Sequence, residues 1–264
     1  MKEILSDKNK IFRHALELKK KKYRDKWREY LIEGPNLVEE ALKEGVEIKT
    51  LMVRDDVGPD SPGGVGPDFS EVPGDRIYKL PPSLFSKLSD TVTPQGVIGV
   101  VAMKETAPYE MELGDGNIIV LDRLQDPGNI GTILRTADAA GFSLAVFLKG
   151  TADPYSPKAV RSAAGSVLRM PVAFFEDGEE LSAFLKARNK KLAVSCMDAP
   201  KAYFQEDLSR DCAIVVGNEG NGVAPELIEM SDIKIRIPMA GNTESLNASM
   251  AAGILMYERI RSKK

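Results

Sequence analysis

From Asn117 to the C-terminus the chain repeats one short unit, an apolar run of four or five residues followed by a helical stretch. The apolar runs are Ile118–Leu121, Leu144–Leu148, Leu192–Cys196, Ala213–Val216 and Ile233–Ile237. Helical patterns fall between and after them, at 129–140, 158–168, 179–189, 225–230 and 246–261. Apolar runs this short, with almost no polar interruption, suit strands buried on both faces, which is the condition inside a mainly parallel sheet. Alternation with helices predicts an α/β domain over residues 117–264. No internal repeat and no heptad array competes with that reading.

The first part of the chain has a looser α/β texture. Tyr30-Leu31-Ile32 reads as a strand, and Gly34-Pro35 opens a helix that buries Leu37, Val38, Ala41 and Leu42. Strands are expected at Ile48–Val53, Arg76–Leu80 and Val97–Ala102, with a short helix at Pro82–Leu88. Residues 55–75 are rich in Gly, Pro and Asp and read as a flexible surface loop. The expected organisation is a smaller N-terminal α/β domain over 1–103, a linker over 104–116, and the regular domain beyond.

Composition excludes several chemistries. The 264 residues carry one histidine, His14, and two cysteines, Cys196 and Cys212. A zinc site needs about four N or S ligands, and these three lie far apart in sequence. Two cysteines make no disulfide framework, so a reducing compartment is expected. No uncharged run has the length of a membrane span, and the start lacks the apolar core of a signal peptide, so a cytoplasmic protein without metal or membrane partner is expected. The net charge is only −3, but residues 1–30 alone carry +6. Within them Lys19-Lys20-Lys21-Lys22-Tyr23-Arg24 precedes Lys26, Trp27 and Arg28, after a helical pattern that Ser6 or Asp7 can cap. This is either a phosphate-binding arm with Tyr23 and Trp27 free to stack on bases, or a solvated helix whose apolar side includes those rings.

Three loops at strand ends hold the candidate chemistry, because open α/β sheets bind ligands at the carboxyl ends of their strands. The first runs from Asp122 to Phe142, with a helix start near Asn129 that suits an anion. Asn129 and Arg135 are six residues apart, ~120° around an ideal helix, and converge on one ligand only if Asn129 sits in the cap. Taken alone, a simple cap and a simple surface charge explain both somewhat better. The second is Gly217-Asn218-Glu219-Gly220-Asn221-Gly222. Its glycine order is not that of a dinucleotide site, and Glu219 is unexpected beside phosphate. The third, Ile237 to Gly253, ends a strand and opens a helix near Ser245 that is rich in small residues. Taken alone, that helix is also explained as a capped packing element.

Together, in this order, the three loops resemble the motifs of the SpoU family of RNA ribose 2′-O-methyltransferases, in the SPOUT superfamily. The matching stretches are Asn129 with Arg135 through Phe142, then Gly217 through Gly222, then Ile237 through Ser249. A looser match covers 5–103 and the family's RNA substrate-binding domain, through Ser6, Asn9, Lys22-Tyr23-Arg24, Leu31 to Gly34, Leu37 to Ala41 and Thr93 to Val97. The resemblance implies an α/β catalytic domain closed by a deep C-terminal trefoil knot, which periodicity alone would never suggest. It implies S-adenosyl-L-methionine held by Gly217, Ile237, Met239 and Leu246. It implies catalysis by Asn129, Arg135, Glu219, Ser245 and Asn247, and RNA contact by Lys21, Lys22, Tyr23 and Arg24. It also implies an rRNA or tRNA substrate and a homodimer, with the small-residue helix as an interface element. A guanidinium stays protonated to pH ~12, so Arg135 is expected to grip a phosphate and orient the hydroxyl rather than act as a base. Two other readings compete: a non-catalytic RNA-binding or assembly protein retaining the fold, and an unrelated nucleotide-binding α/β enzyme.

Overall fold

The computed structural model describes residues 1–57, 69–104 and 106–262. The chain divides into two compact units, one of residues 1–104 with 155–168, the other of 105–154 with 169–264. The expected C-terminal domain thus gives up one internal segment, 155–168, to the first unit. Most of the expected 55–75 loop, residues 58–68, lies outside the described residues. Of its described part, Val72 is buried, so its C-terminal end is anchored in the fold.

The first unit contains β1 (Lys2–Glu3), α1 (Lys10–Glu17), α2 (Lys21–Trp27), β2 (Glu29–Glu33), α3 (Pro35–Lys43), β3 (Ile48–Arg54), β4 (Ile77–Leu80), α4 (Pro82–Leu88) and β5 (Val97–Ala102). Its sheet is mixed, in the order β1-β4-β3-β5-β2, with β5 antiparallel to both neighbours. One face buries Phe12, Ala15 and Leu18 of α1 and Leu84, Phe85 and Leu88 of α4 against Leu31, Met52, Leu80 and Ile98. Each fully buried side chain of this size contributes about 1.5–3 kcal/mol. The N-cap of α1 is Asn9, whose Oδ1 accepts from Ile11 N–H at 2.8 Å, rather than the expected Ser6 or Asp7. Gly34 starts α3 at φ 102°, where a side chain is disfavoured, and a Cβ there would meet Gln95 Oε1 at 2.7 Å. Two stretches of the N-terminal resemblance therefore touch one another.

The second unit contains β6 (Ile118–Leu121), α5 (Pro127–Ala139), β7 (Leu144–Leu148), β8 (Val172–Phe175), α8 (Gly178–Lys186), β9 (Lys191–Ser195), β10 (Lys201–Ala202), β11 (Cys212–Val216), α9 (Pro225–Met230), β12 (Ile233–Arg236) and α10 (Ala248–Ser262). The intervening helices α6 (Pro157–Ala163) and α7 (Ser166–Arg169) replace the single helix expected at 158–168, which breaks at Ala164, φ 50°. The sheet has seven strands in the order β10-β12-β9-β11-β6-β7-β8, and every pairing is parallel. Three of the apolar runs are buried on both faces, as their composition requires: β6, β7 and β11 have no exposed residue, whereas β12 exposes Lys234 and Arg236. Two strands, β8 and β10, escaped the sequence reading. The expected linker is partly tied down: Leu113 is buried in the core of this unit, and Gly114 O accepts from Lys190 Nζ at 2.5 Å. No described helix is long and apolar enough to cross a membrane.

Candidate active site

Helix α5 begins two residues earlier than the sequence suggests. Asp126 is its N-cap, its side chain accepting from Gly128 N–H at 3.0 Å, and Pro127 fills the first helical position. Asn129 therefore lies inside the helix and not in its cap. The condition for Asn129 and Arg135 to converge from one chain fails, and they point to different sides of α5. Asn129 is only 8% exposed, whereas Arg135 is exposed and makes no hydrogen bond or ion pair within the described residues.

Three of the expected catalytic residues do come together. Asn129 Nδ2 donates to Glu219 Oε1 at 3.1 Å, and Asn247 Nδ2 donates to Asn129 Oδ1 at 3.0 Å. Glu219 also accepts backbone N–H groups from Gln125 (3.2 Å) and Asp126 (3.3 Å). Burial pushes the Glu219 carboxyl up, but its own backbone N–H, Asn129, Gln125 and Asp126 together outweigh that and hold it below the usual range. An ionised Glu219 has no proton to give, which fits a residue that holds its neighbours. Asn247 has a second task. Its Oδ1 accepts from Ser249 N–H at 2.9 Å and Met250 N–H at 3.4 Å, so it caps α10, which starts at Ala248 rather than near Ser245. Ser245 is exposed and has no partner within the described residues.

The glycine-rich loop is a tight turn closed by two backbone bonds, Asn218 N–H to Gly222 O at 3.0 Å and Gly222 N–H to Asn218 O at 2.9 Å. Asn218 Oδ1 also accepts from the N–H groups of Gly220 and Asn221, both at 3.0 Å. A Cβ on Gly217 would meet Gly222 C and Val223 N at 2.2 Å, so only glycine fits where the loop folds onto itself.

The third loop is open. From Met239 to Leu246 no backbone group is hydrogen-bonded within the described residues, and the Met239 and Leu246 side chains are 38% and 39% exposed. Free backbone donors and acceptors beside apolar side chains form the donor set that suits a flat heteroaromatic ligand with an apolar body, such as an adenosine group. Strand order adds a segment that the sequence reading missed. Because β9 lies between β11 and β12, the loop after it, 196–199, emerges between the second and third loops, with Met197 exposed. Only strand order carries that signal. Burial pushes the Cys196 thiol up, which lowers its thiolate fraction below that of a free cysteine. Among the described residues no three His, Cys, Asp or Glu side chains are grouped to hold a metal ion.

In the first unit, Lys21, Lys22 and Tyr23 lie on α2 at or near the surface, but Arg24 does not. Arg24 is 3% exposed and its Nη1 donates to Leu18 O at 2.7 Å, so it ties α2 to the end of α1 instead of facing a ligand. Lys21 pairs with Asp25 at 2.8 Å, and Lys22 Nζ lies 5.9 Å from the centre of the Tyr23 ring. Tyr23 stacks on Trp27 with centroids 5.2 Å apart, and Trp27 also meets His14 and the core. The rings are partly core, as the solvated-helix reading expects, while Lys20, Lys21, Lys22, Lys26 and Arg28 are exposed or nearly so, which fits either reading.

Comparison with known proteins follows this division. Residues 116–257 match the SpoU rRNA Methylase family, and residues 9–99 match the MRM3-like substrate binding domain. The 23S rRNA (guanosine(2553)-2'-O)-methyltransferase RlmP of Bacillus subtilis is 36% identical over 265 residues, spanning 97% of this chain and 98% of that protein. The mitochondrial rRNA methyltransferase 3 of Xenopus laevis is 28% identical, over 91% of this chain and 71% of its own length. The AdoMet-bound rRNA methyltransferase of Sinorhizobium meliloti superposes with a TM-score of 0.87 at 31% identity, covering 98% and 97% of the two chains. The SpoU methyltransferase AviRb of Streptomyces viridochromogenes, in complex with AdoMet, gives 0.86 at 26% identity over 97% and 98%.

Proposed function

The chain belongs to the SpoU rRNA Methylase family, with the SPOUT-type α/β fold and S-adenosyl-L-methionine as cofactor, and on that premise we propose that it methylates a ribose 2′-hydroxyl of ribosomal RNA. One observation carries the reading. Glu219, Asn129 and Asn247, one from each motif loop, form a continuous hydrogen-bonded chain. A protein that kept the fold only to bind RNA would not need three polar side chains from distant segments to satisfy one another.

When bound, S-adenosyl-L-methionine supplies an electrophilic methyl group. Gly217, Ile237, Met239 and Leu246 are the residues proposed to hold it, and the open backbone from Met239 to Leu246 fits that use. Asn129 and Asn247, fixed by Glu219, offer a rigid polar wall that orients a ribose. Arg135, exposed and unpaired within the described residues, is left to grip an RNA phosphate and set the hydroxyl in line; such orientation accounts for much of the acceleration in transfer reactions. Ser245 is proposed to hold the same phosphate or ribose. The guanidinium remains protonated throughout, so the hydroxyl proton leaves to phosphate or solvent.

In the first unit, Lys21, Lys22 and Tyr23 are proposed to contact RNA. We also propose a cytoplasmic homodimer. Met250, Tyr257 and Ile260 leave an apolar stripe exposed at helical spacing on α10, and α10 packs on α5, the helix of Arg135. The expected knot stays part of this proposal.

Methyl incorporation from labelled S-adenosyl-L-methionine into rRNA and tRNA, with mapping of 2′-O-methyl positions, tests the function. Incorporation into 23S rRNA is expected, because the relative with 36% identity is named for that RNA. Binding of S-adenosyl-L-methionine without incorporation into any RNA would leave the non-catalytic alternative in its place.

A further inference from the structure

The carboxylate of Asp122 lies under the glycine-rich loop, and we propose that Asp122 is a positioning residue for methyl transfer, acting through Arg123 and the loop backbone on Glu219. This rests on the methyltransferase reading of the same site.

Asp122 immediately follows β6 and is 2% exposed. Its backbone N–H donates to Val216 O at 2.9 Å, at the very end of β11. Its Oδ2 accepts Ala224 N–H at 2.8 Å, where the glycine-rich loop ends. The same carboxylate receives Arg123 Nε at 2.9 Å and Nη2 at 3.1 Å. A buried carboxylate is stable only when its oxygens are fully used, and here three donors use them. Asp122 thus grips both ends of the loop that carries Glu219.

Arg123 extends the grip to the middle of the loop. Its Nη2 reaches Gly222 O at 3.4 Å, and its backbone O accepts from Asn218 Nδ2 at 2.8 Å. To do this Arg123 adopts φ 55°, a left-handed conformation that a non-glycine residue keeps only when its surroundings enforce it. The enforcing contacts are present. Arg123 N–H donates to Thr151 Oγ1 at 2.9 Å, and Thr151 in turn donates to Leu121 O at 2.9 Å. Two residues on, the Gln125 and Asp126 N–H groups hold Glu219 itself. Segment 122–126 and loop 217–224 are therefore tied at base, middle and tip. Loosening the base frees the tip, where Glu219 fixes Asn129.

Asp122→Asn tests this with little change of shape. An amide presents N–H₂ where the carboxylate had an oxygen, so Arg123 loses one acceptor in either orientation, and Ala224 loses its own when the nitrogen takes the Oδ2 position. In protein without RNA or cofactor, the Gly222 amide is expected to exchange its hydrogen about tenfold faster than in the wild type, while the core amides of β6 and β11 keep their protection. At saturating RNA and S-adenosyl-L-methionine, kcat is expected to fall about tenfold. Because Asp122 acts through Glu219, the double variant Asp122→Asn, Glu219→Gln is expected to be no slower than Glu219→Gln alone. Unchanged Gly222 exchange, or kcat losses that multiply in the double variant, would overturn the proposal. Should Asp122→Asn fail to fold, Arg123→Gly serves, because glycine takes φ 55° without strain while removing the guanidinium. Faster Gly222 exchange with lower kcat supports the proposal, and wild-type values of either overturn it. A wild-type chain that methylates no RNA would sink the functional reading alone, since the exchange measurement needs no activity.

Discussion

Asn247 donates from Nδ2 to Asn129 at 3.0 Å while its Oδ1 caps the C-terminal helix, so one side chain joins the start of α10 to the first turn of α5. The two tasks use opposite ends of the amide and separate by mutation. Asn247→Asp keeps the cap, because Asp and Asn cap about equally well. It cannot donate to Asn129. Stability is expected to fall only by the lost hydrogen bond to buried Asn129, about 1–3 kcal/mol, while methyl transfer falls about 10- to 100-fold. Asn247→Ala is expected to lose both, with about 1 kcal/mol of stability gone in addition. Denaturation and single-turnover kinetics on the two variants check the split.

Glu219 carries a pH dependence of defined sign. Its carboxyl titrates below its ordinary value in the folded chain. Its contribution to stability is therefore complete above the unfolded value of about 4.5 and is lost as pH falls through the lower folded value. The acid limb of a stability profile is expected to flatten in Glu219→Gln, which is less stable than the wild type at neutral pH and converges on it at low pH, where Glu219 is protonated. Parallel acid limbs would place the carboxylate outside any hydrogen-bonded site.

Gly217 admits no side chain. A methyl group there would lie 2.2 Å from the backbone of Gly222 and Val223, atoms that cannot step aside as a side-chain tip could. Gly217→Ala is expected to cost about 1–3 kcal/mol or more and to weaken S-adenosyl-L-methionine binding by displacing the loop. Gly220→Ala, where a Cβ would meet nothing closer than 3.7 Å, is the control and is expected to bind normally. Calorimetric titration of both variants checks it.

The basic arm divides into surface and core. Arg24→Ala is expected to destabilise the chain by about 1–3 kcal/mol, because Leu18 O loses its buried donor, and to leave RNA affinity of the folded protein unchanged. Lys21→Ala with Lys22→Ala is expected to do the reverse, weakening RNA binding and lowering the salt dependence of log K by up to about one unit per lysine. RNA titrations at several salt concentrations, paired with melting curves, separate the two.

What the sequence disclosed depended on how locally each feature is encoded. Strands β6, β7 and β11 are legible because both of their faces are buried, which leaves a continuous apolar run, while β12 is legible by alternation, with Lys234 and Arg236 exposed and Ile235 buried. Strand β8 escapes that reading even though Val172-Ala173-Phe174-Phe175 is also a continuous apolar run, and two-residue β10 leaves no periodicity at all. Asn129, Glu219 and Asn247 were legible only as a set, through the family resemblance, because each alone passes for a cap or a loop residue. The geometry of Asn129 and Arg135 was misjudged by one detail: Pro127 starts the helix and moves the cap to Asp126. Arg24 misled because a guanidinium in a run of lysines carries no local mark of burial. Asp122 was overlooked for the converse reason, since an aspartate after a strand is ordinary until its three donors are seen.

The central claim is that Arg135 serves the transferring methyl group and not the fold or the cofactor. The direct measurement is transfer of labelled methyl from S-adenosyl-L-methionine to 23S rRNA by the wild type and by Arg135→Ala, with cofactor binding followed in parallel. The account predicts unchanged cofactor affinity and a loss of transfer of about 100-fold or more. Full transfer by Arg135→Ala on an RNA that the wild type methylates would contradict it.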